Sequence, residues 1–225
     1  MIRVAVAGAA GKMGLTVCGA VEGAPDMELT GRADPALGTS LADVLEGADV
    51  VVDFTRPDTA LENALACIEA GVHVVIGTTG FDQAPLAEAR PGEGRPQANV
   101  LIAPNFAIGA ILMMRFAEQA ATLMAKAEII ELHHDAKIDA PSGTAARTAE
   151  LMARASGGEP PPIHSVRLPG FVASQEVILG DLGQTLSIRH DTISRDSFMP
   201  GVLLAVRRVG TLESSPMVGL EHLLF

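Results

Sequence analysis

At 225 residues, 48% hydrophobic and 19% charged, the sequence is long enough to bury a substantial core, as one large domain or two small ones. A formal net charge of -11 excludes a broad basic footprint for nucleic acid or an anionic membrane, while leaving room for a local basic pocket. Trp and Tyr are absent, which removes the usual stacking platforms for bases, and no uncharged apolar run is long enough to span a bilayer. The chain enters Ile2-Arg3-Val4-Ala5-Val6 with no charged leader before a long apolar stretch, so a cytoplasmic location is expected. Cys18 and Cys67 sit in helix-like patterns without CxxC spacing and read as small buried hydrophobes.

In chain order, Ile2–Ala7 is an apolar strand ending in glycine, and Gly11–Val21 reads as a helix. Strands follow at Met27–Ala33 and Ala48–Phe54, then a helix at Pro57–Ala70 entered through proline, then strands at Val72–Ile76 and Asn99–Ala103. Strands alternating with helices imply βαβ units, and so a Rossmann-type, doubly wound parallel sheet. Pro91–Gln97 reads as an exposed loop. Beyond Asn105 the pattern changes: a helix at Ala107–Lys126, a strand at Ala127–His133, a helix at Gly143–Ala155 and a linker at Ser156–Pro162. Strand-like runs at Ser165–Leu168, Phe171–Leu179 and Thr185–His190, with turn signals at Gly180-Asp181 and Gly183, predict a mixed or antiparallel sheet. A last helix at Gly201–Val209 is expected to pack back onto the first half. The chain therefore divides into a dinucleotide-binding domain over residues 1–106, completed by 198–225, and an α+β substrate and oligomerisation domain over 107–197.

Gly8-Ala9-Ala10-Gly11-Lys12-Met13-Gly14 forms the first strand-to-helix turn. Glycine suits a place where backbone N–H groups approach a pyrophosphate at a helix N-terminus. The spacing is not GxGxxG, and an ordinary tight turn is the alternative. Asp34, about 20 residues past the last glycine, is placed to bond ribose hydroxyls, or else is a solvated loop aspartate. Three other strands end in Asp53-Phe54-Thr55, Gly77-Thr78-Thr79-Gly80 and Ala103-Pro104-Asn105-Phe106, at the carboxyl edge where such sheets bind ligands. Asp53 and Thr78 serve equally well as helix caps.

Glu131–Ala145, E-L-H-H-D-A-K-I-D-A-P-S-G-T-A, is the densest polar stretch. His133, His134 and Lys137 can donate protons or hold carboxylates, and the following helix N-terminus around Ser142–Thr144 suits an anion. The alternative is a solvated loop with Ser142 as cap. Metal binding by His133, His134 and Asp135 is disfavoured, because neighbours in an extended segment point to opposite faces.

This segment resembles the E-x-H-H-x-x-K-x-D-A-P-S-G-T-A signature of the dihydrodipicolinate reductase (4-hydroxy-tetrahydrodipicolinate reductase) family. G-A-A-G-K-M-G, V-D-F-T-x-P, G-T-T-G-F and A-P-N-F-A-I-G are similar to that family's motifs in the same order, and its shorter actinobacterial-type members fit best. The resemblance implies reduction of a cyclic imine dicarboxylate with NADH or NADPH, in the diaminopimelate route to lysine. It implies His133 as proton donor or acceptor, Lys137 as second proton donor, and His134, Gly143 and Thr144 as holders of substrate carboxylate. It implies a cofactor lining of Gly8, Ala9, Ala10, Gly11, Lys12, Met13, Asp34, Gly77, Thr78, Thr79, Ala103, Pro104, Asn105 and Phe106. It further implies a homotetramer with the substrate-domain sheets packed together and a small dicarboxylate as partner, while the residues themselves point to neither metal, nucleic acid nor membrane.

Three features depart from the pattern. Pro35 follows Asp34 where members that favour the phosphorylated cofactor carry arginine, leaving Lys12 and Arg32 as distant phosphate partners. The linker over 156–163 is short, and Ser174 stands where close relatives have histidine. Another two-domain nicotinamide dehydrogenase would explain the glycine turn but not the doubled histidine with K-x-D-A-P-S-G-T. A cofactor-sensing regulator would need a basic helix–turn–helix, and none is visible.

Overall fold

Short runs of valine, isoleucine and alanine build the first sheet: Val50, Val51 and Val52 are all buried, as expected for parallel strands covered on both faces. The computed structural model describes residues 1–225, in two units, Met1–Phe106 with Phe198–Phe225, and Ala107–Ser197. The first unit contains β1 (Ile2–Ala7), α1 (Lys12–Gly23), β2 (Met27–Ala33), α2 (Ala42–Leu45), β3 (Val50–Asp53), α3 (Pro57–Ala70), β4 (His73–Ile76), α4 (Ala84–Glu88) and β5 (Val100–Ile102). The second contains α5 (Ile108–Ala121), β6 (Lys126–His133), α6 (Gly143–Ser156), β7 (Ile163–Arg167), β8 (Ala173–Asp181) and β9 (Gln184–Thr192). The chain then returns to the first unit as α7 (Met199–Arg208) and β10 (Met217–Val218).

The first sheet has six strands in the order β10-β5-β4-β3-β1-β2, all parallel. The chain leaves β1 for β2 on one side and resumes at β3 on the other, so the loops after β1 and β3 flank the switch point where such sheets hold ligands. Ala5, Val51, Val74 and Ile102 pack with Ala60, Ala64, Cys67 and Ile68 of α3 in one core cluster. Helix α7 closes against the loop after β5: a Cβ at Gly201 would collide with the Phe106 carbonyl. Arg207 of α7 donates to both oxygens of Asp26, at 2.7 and 2.9 Å.

The second sheet runs β7-β6-β8-β9, with β6 and β7 parallel and the other pairs antiparallel. One face packs Ile129, Val177 and Leu179 against Ala117 of α5 and Ala145, Ala149 and Met152 of α6. By strand alternation the opposite face carries Ile130, Leu132, Val166 and Ile178, each only partly buried.

The sequence pattern overruns at two places. The helix expected over Ala107–Lys126 ends at Ala121, because Lys126–His133 pairs residue by residue with β8 and buries Ile129, which overrides the helical propensity of Leu-Met-Ala-Lys. Gly180-Asp181 lies within β8, and the turn is Leu182-Gly183, with Gly183 at a φ of 72°. The helices α2 and α4 and the strand β10 have too few residues to show a period.

Candidate active site

In the first unit the chain reverses at Gly8, whose φ is 78° and where a Cβ would stand 2.6 Å from the Phe54 carbonyl oxygen. No L side chain fits this close approach of the two switch-point loops. A Cβ at Gly14 would fall on the Gly8 carbonyl, so that glycine lets α1 start tight against the turn. Gly11 caps α1 in extended conformation with no side-chain bond, and its first turn has no acidic residue. Its N–H groups and positive dipole end thus face the loop, the arrangement that accepts a phosphate. Asp34 accepts from Ala10 N–H at 3.0 Å and Ala36 N–H at 2.9 Å, so it braces the glycine turn while each oxygen keeps a second lone pair for a hydroxyl. Lys12 is exposed at the head of α1. Arg32 is drawn away: its Nη2 lies 2.6 Å from Glu22 Oε1, about 15 Å along α1 from Lys12.

The remaining strand ends are tied together by Asp53, which is wholly buried. Its Oδ1 accepts from Thr55 N–H at 2.9 Å, Thr55 Oγ1 at 2.7 Å and Thr78 Oγ1 at 3.3 Å, and its Oδ2 from Asn63 at 2.7 Å. Thr78 is therefore turned inward, and what it offers a ligand is backbone. Gly77 leaves room for the Phe54 ring, which packs on Phe106 with centroids 5.6 Å apart. Thr79 and Pro104 are exposed and Asn105 is half-buried, whereas Ala103 is buried and can contribute only main chain.

In the second unit the decisive group is Glu131, wholly buried on β6. Arg167 grips it with both terminal nitrogens, Nη1 to Oε2 at 2.9 Å and Nη2 to Oε1 at 2.7 Å. Ser142 N–H donates to Oε1 at 3.3 Å, and His133 Nδ1 bonds Oε2. Burial pushes the Glu131 carboxyl up, but bonds from Arg167, Ser165 and His133 outweigh it and hold the group at about 2. Burial lowers His133 below the ordinary imidazole value, Glu131 opposes, and the charges of Lys137 and Arg167 lower it further. Lys137 sits between, its Nζ 2.6 and 2.7 Å from the exposed Asp139 carboxylate. Ser142 caps α6 by accepting from Ala145 N–H at 3.2 Å, which leaves Gly143 and Thr144 as the first turn of a helix N-terminus. His134, the first residue past β6, is exposed. The structure thus gathers His133, Lys137, Gly143 and Thr144 around one ion pair whose carboxylate is wholly buried and whose guanidinium is partly exposed, with His134 at the rim.

The family model described as "Dihydrodipicolinate reductase, N-terminus" matches residues 2–106, and that described as "Dihydrodipicolinate reductase, C-terminus" matches residues 109–224. The chain belongs to the dihydrodipicolinate reductase family. Among relatives, the 4-hydroxy-tetrahydrodipicolinate reductase of Mycolicibacterium smegmatis is 48% identical over 99% of both chains. That of Thermobifida fusca is 51% identical over 100% of this chain and 99% of its own. Among solved structures, a dipicolinate-bound dihydrodipicolinate reductase from Paenisporosarcina sp. TG-14 superposes with a TM-score of 0.81 at 35% identity, covering 99% of each chain. The M. smegmatis alignment spans 244 positions, so at least 19 of them (244 minus 225) lack a residue here.

Sequence reading singled out neither Glu131 nor Arg167 for a role. Arg167 stands beside His133 only through the parallel register of β6 and β7, which no local pattern in the sequence encodes.

Proposed function

We propose that the chain reduces 4-hydroxy-tetrahydrodipicolinate to tetrahydrodipicolinate with NADH or NADPH, in the diaminopimelate route to lysine. It is an NAD(P)H-dependent oxidoreductase with a Rossmann-type nucleotide-binding unit, acting on a small-molecule substrate. The observation that carries the residue assignment is the grouping of His133, Lys137 and the α6 N-terminus about the Glu131–Arg167 pair. The unit of residues 1–106 and 198–225 binds the dinucleotide, and that of 107–197 binds the substrate.

When bound, the reduced nicotinamide supplies the hydride. Gly8 through Met13 line the pyrophosphate, with the Lys12 and Met13 N–H groups at the head of α1 as its donors because those of Gly8 to Gly11 already meet Ala33, Asp34 and Gly8, and Asp34 takes the ribose hydroxyls. Gly77, Thr78 and Thr79 with Ala103, Pro104, Asn105 and Phe106 line the rest of that site. His133 moves a proton through the nitrogen that does not face Glu131. Lys137, released from Asp139, meets a substrate carboxylate or delivers the second proton. The Gly143 and Thr144 N–H groups with His134 hold the carboxylate. The open face of the second sheet, with Ile130, Leu132, Val166 and Ile178, is the surface through which four copies assemble; light scattering after size exclusion tests this. NADH and NADPH oxidation, followed with the condensation product of pyruvate and aspartate semialdehyde, tests the reaction itself. No oxidation with either cofactor would overturn the reading.

A further inference from the structure

Glu131 and Asp53 are the only wholly buried carboxylates in the chain. Asp53 bonds only uncharged donors, whereas Glu131 is locked to a guanidinium and an imidazole. Glu131 is wholly buried while Arg167 stays partly exposed, and exchanging an ion pair taken out of water for apolar residues of similar size often leaves stability unchanged or improved, so fold stability alone gives little reason to keep this carboxylate here. We propose that Glu131, held by Arg167, is a positioning residue that fixes His133 in one tautomer with Nε2 presented to the substrate, and that Arg167 tempers how strongly it does so. This rests on the reading of His133 as the proton-transfer residue.

The tautomer follows from donor and acceptor counting. An ionised carboxylate can only accept, so the proton between Glu131 and His133 sits on Nδ1, and in the neutral ring Nε2 carries the lone pair. Nε2 meets no protein partner. The charged groups acting on the ring are Glu131 from β6, Arg167 from β7 and Lys137 from the loop. Glu131 favours the imidazolium and the two cations oppose it. Arg167 takes both carboxylate oxygens and so shares the charge that would otherwise go to His133 alone. Its Nη2 also donates to the Asp139 carbonyl at 2.8 Å, which fixes the loop carrying Lys137 to the same carboxylate.

The two partners therefore act on His133 with opposite sign. In the full-length enzyme, Glu131→Gln should move the His133-dependent limb of the kcat/KM pH profile to lower pH by about one unit, and Arg167→Met should move it upward. Ring 15N NMR of His133 should show a single Nδ1–H tautomer in the wild type and a mixture in Glu131→Gln. The expected loss is in kcat, roughly 10–100-fold, with the KM for NADH unchanged. The double variant E131Q/R167M removes both charges together, so it provides a folded protein should either single change fail to fold, and it too should show mixed tautomers. Profiles that superpose on wild type, or a His133 that keeps one tautomer without Glu131, would overturn the inference. His133→Gln separates the two ideas. Retained turnover there would sink the proton-transfer reading, while the tautomer measurement still decides what Glu131 does to the ring.

Discussion

Replacing Asp53 by alanine should loosen the dinucleotide unit at its switch point. The carboxylate is wholly buried and accepts from Thr55 N–H, Thr55 Oγ1, Thr78 Oγ1 and Asn63 Nδ2. The two hydroxyls can rotate toward other acceptors, but the Thr55 N–H and the Asn63 amide have little choice. Each donor stranded without water costs about 1–3 kcal/mol, so Asp53→Ala should lose roughly 4 kcal/mol. For a chain of this size that lowers the melting temperature by about 8–16 °C. Asp53→Asn keeps an acceptor at the Oδ1 position, and Asn63 can turn its amide to present oxygen to the new NH2. Its cost should be nearer 1 kcal/mol, about one lost charge assistance. Because Thr55 follows β3 and Thr78 follows β4, Asp53→Ala should also weaken NADH by roughly tenfold, about 1.4 kcal/mol. Scanning calorimetry and a calorimetric NADH titration measure both effects. If Asp53→Ala melts within about 3 °C of wild type, the brace is not what orders these loops.

His133→Gln should cut turnover by roughly 100-fold or more while leaving NADH affinity nearly unchanged, which steady-state kinetics and a binding titration check together. Pyridine-2,6-dicarboxylate should compete with substrate, and Lys137→Ala should weaken it by about 1.5–3 kcal/mol by calorimetry; equal binding would place the carboxylates elsewhere. NADH and NADPH should both serve, within roughly tenfold of each other, about 1.4 kcal/mol. Asp34 suits the free ribose hydroxyls, whereas Arg32 is held to Glu22 only by an exposed pair worth about 1 kcal/mol or less, which a 2′-phosphate can displace. A large kinetic preference for NADPH would refute that balance.

The parallel sheet was readable because buried strands such as Val50–Asp53 are short, apolar and bounded by glycine or proline. The candidate catalytic segment stood out for a different reason, the density of its polar residues between a strand and a helix cap. Its organising ion pair could not be read in the same way. Arg167 lies 36 residues from Glu131, and only the pairing of His133 with Arg167 across β6 and β7 brings the guanidinium to the carboxylate. Asp53 reads equally well as a cap for the helix that follows, but α3 is capped at Arg56 and Asp53 ties Thr55 to Thr78 instead. That its second oxygen is taken by Asn63, a helical turn and more into α3, is a property of packing. Arg32 was legible as a distant partner for a 2′-phosphate but not as the partner of Glu22, since the two residues lie on different elements.

The first sheet draws its outermost strand from the far end of the chain, since β10 hydrogen-bonds to β5 from residues 217–218. On the ribosome this imposes a delay. After β5 emerges, residues 107–197 must be synthesised before α7 can cover the loop after β5, and β10 comes later still. At about 5–20 residues per second this takes roughly 5–18 s, during which β5 is an unpaired edge open to other nascent chains. Its three residues, Val100–Ile102, keep that edge short.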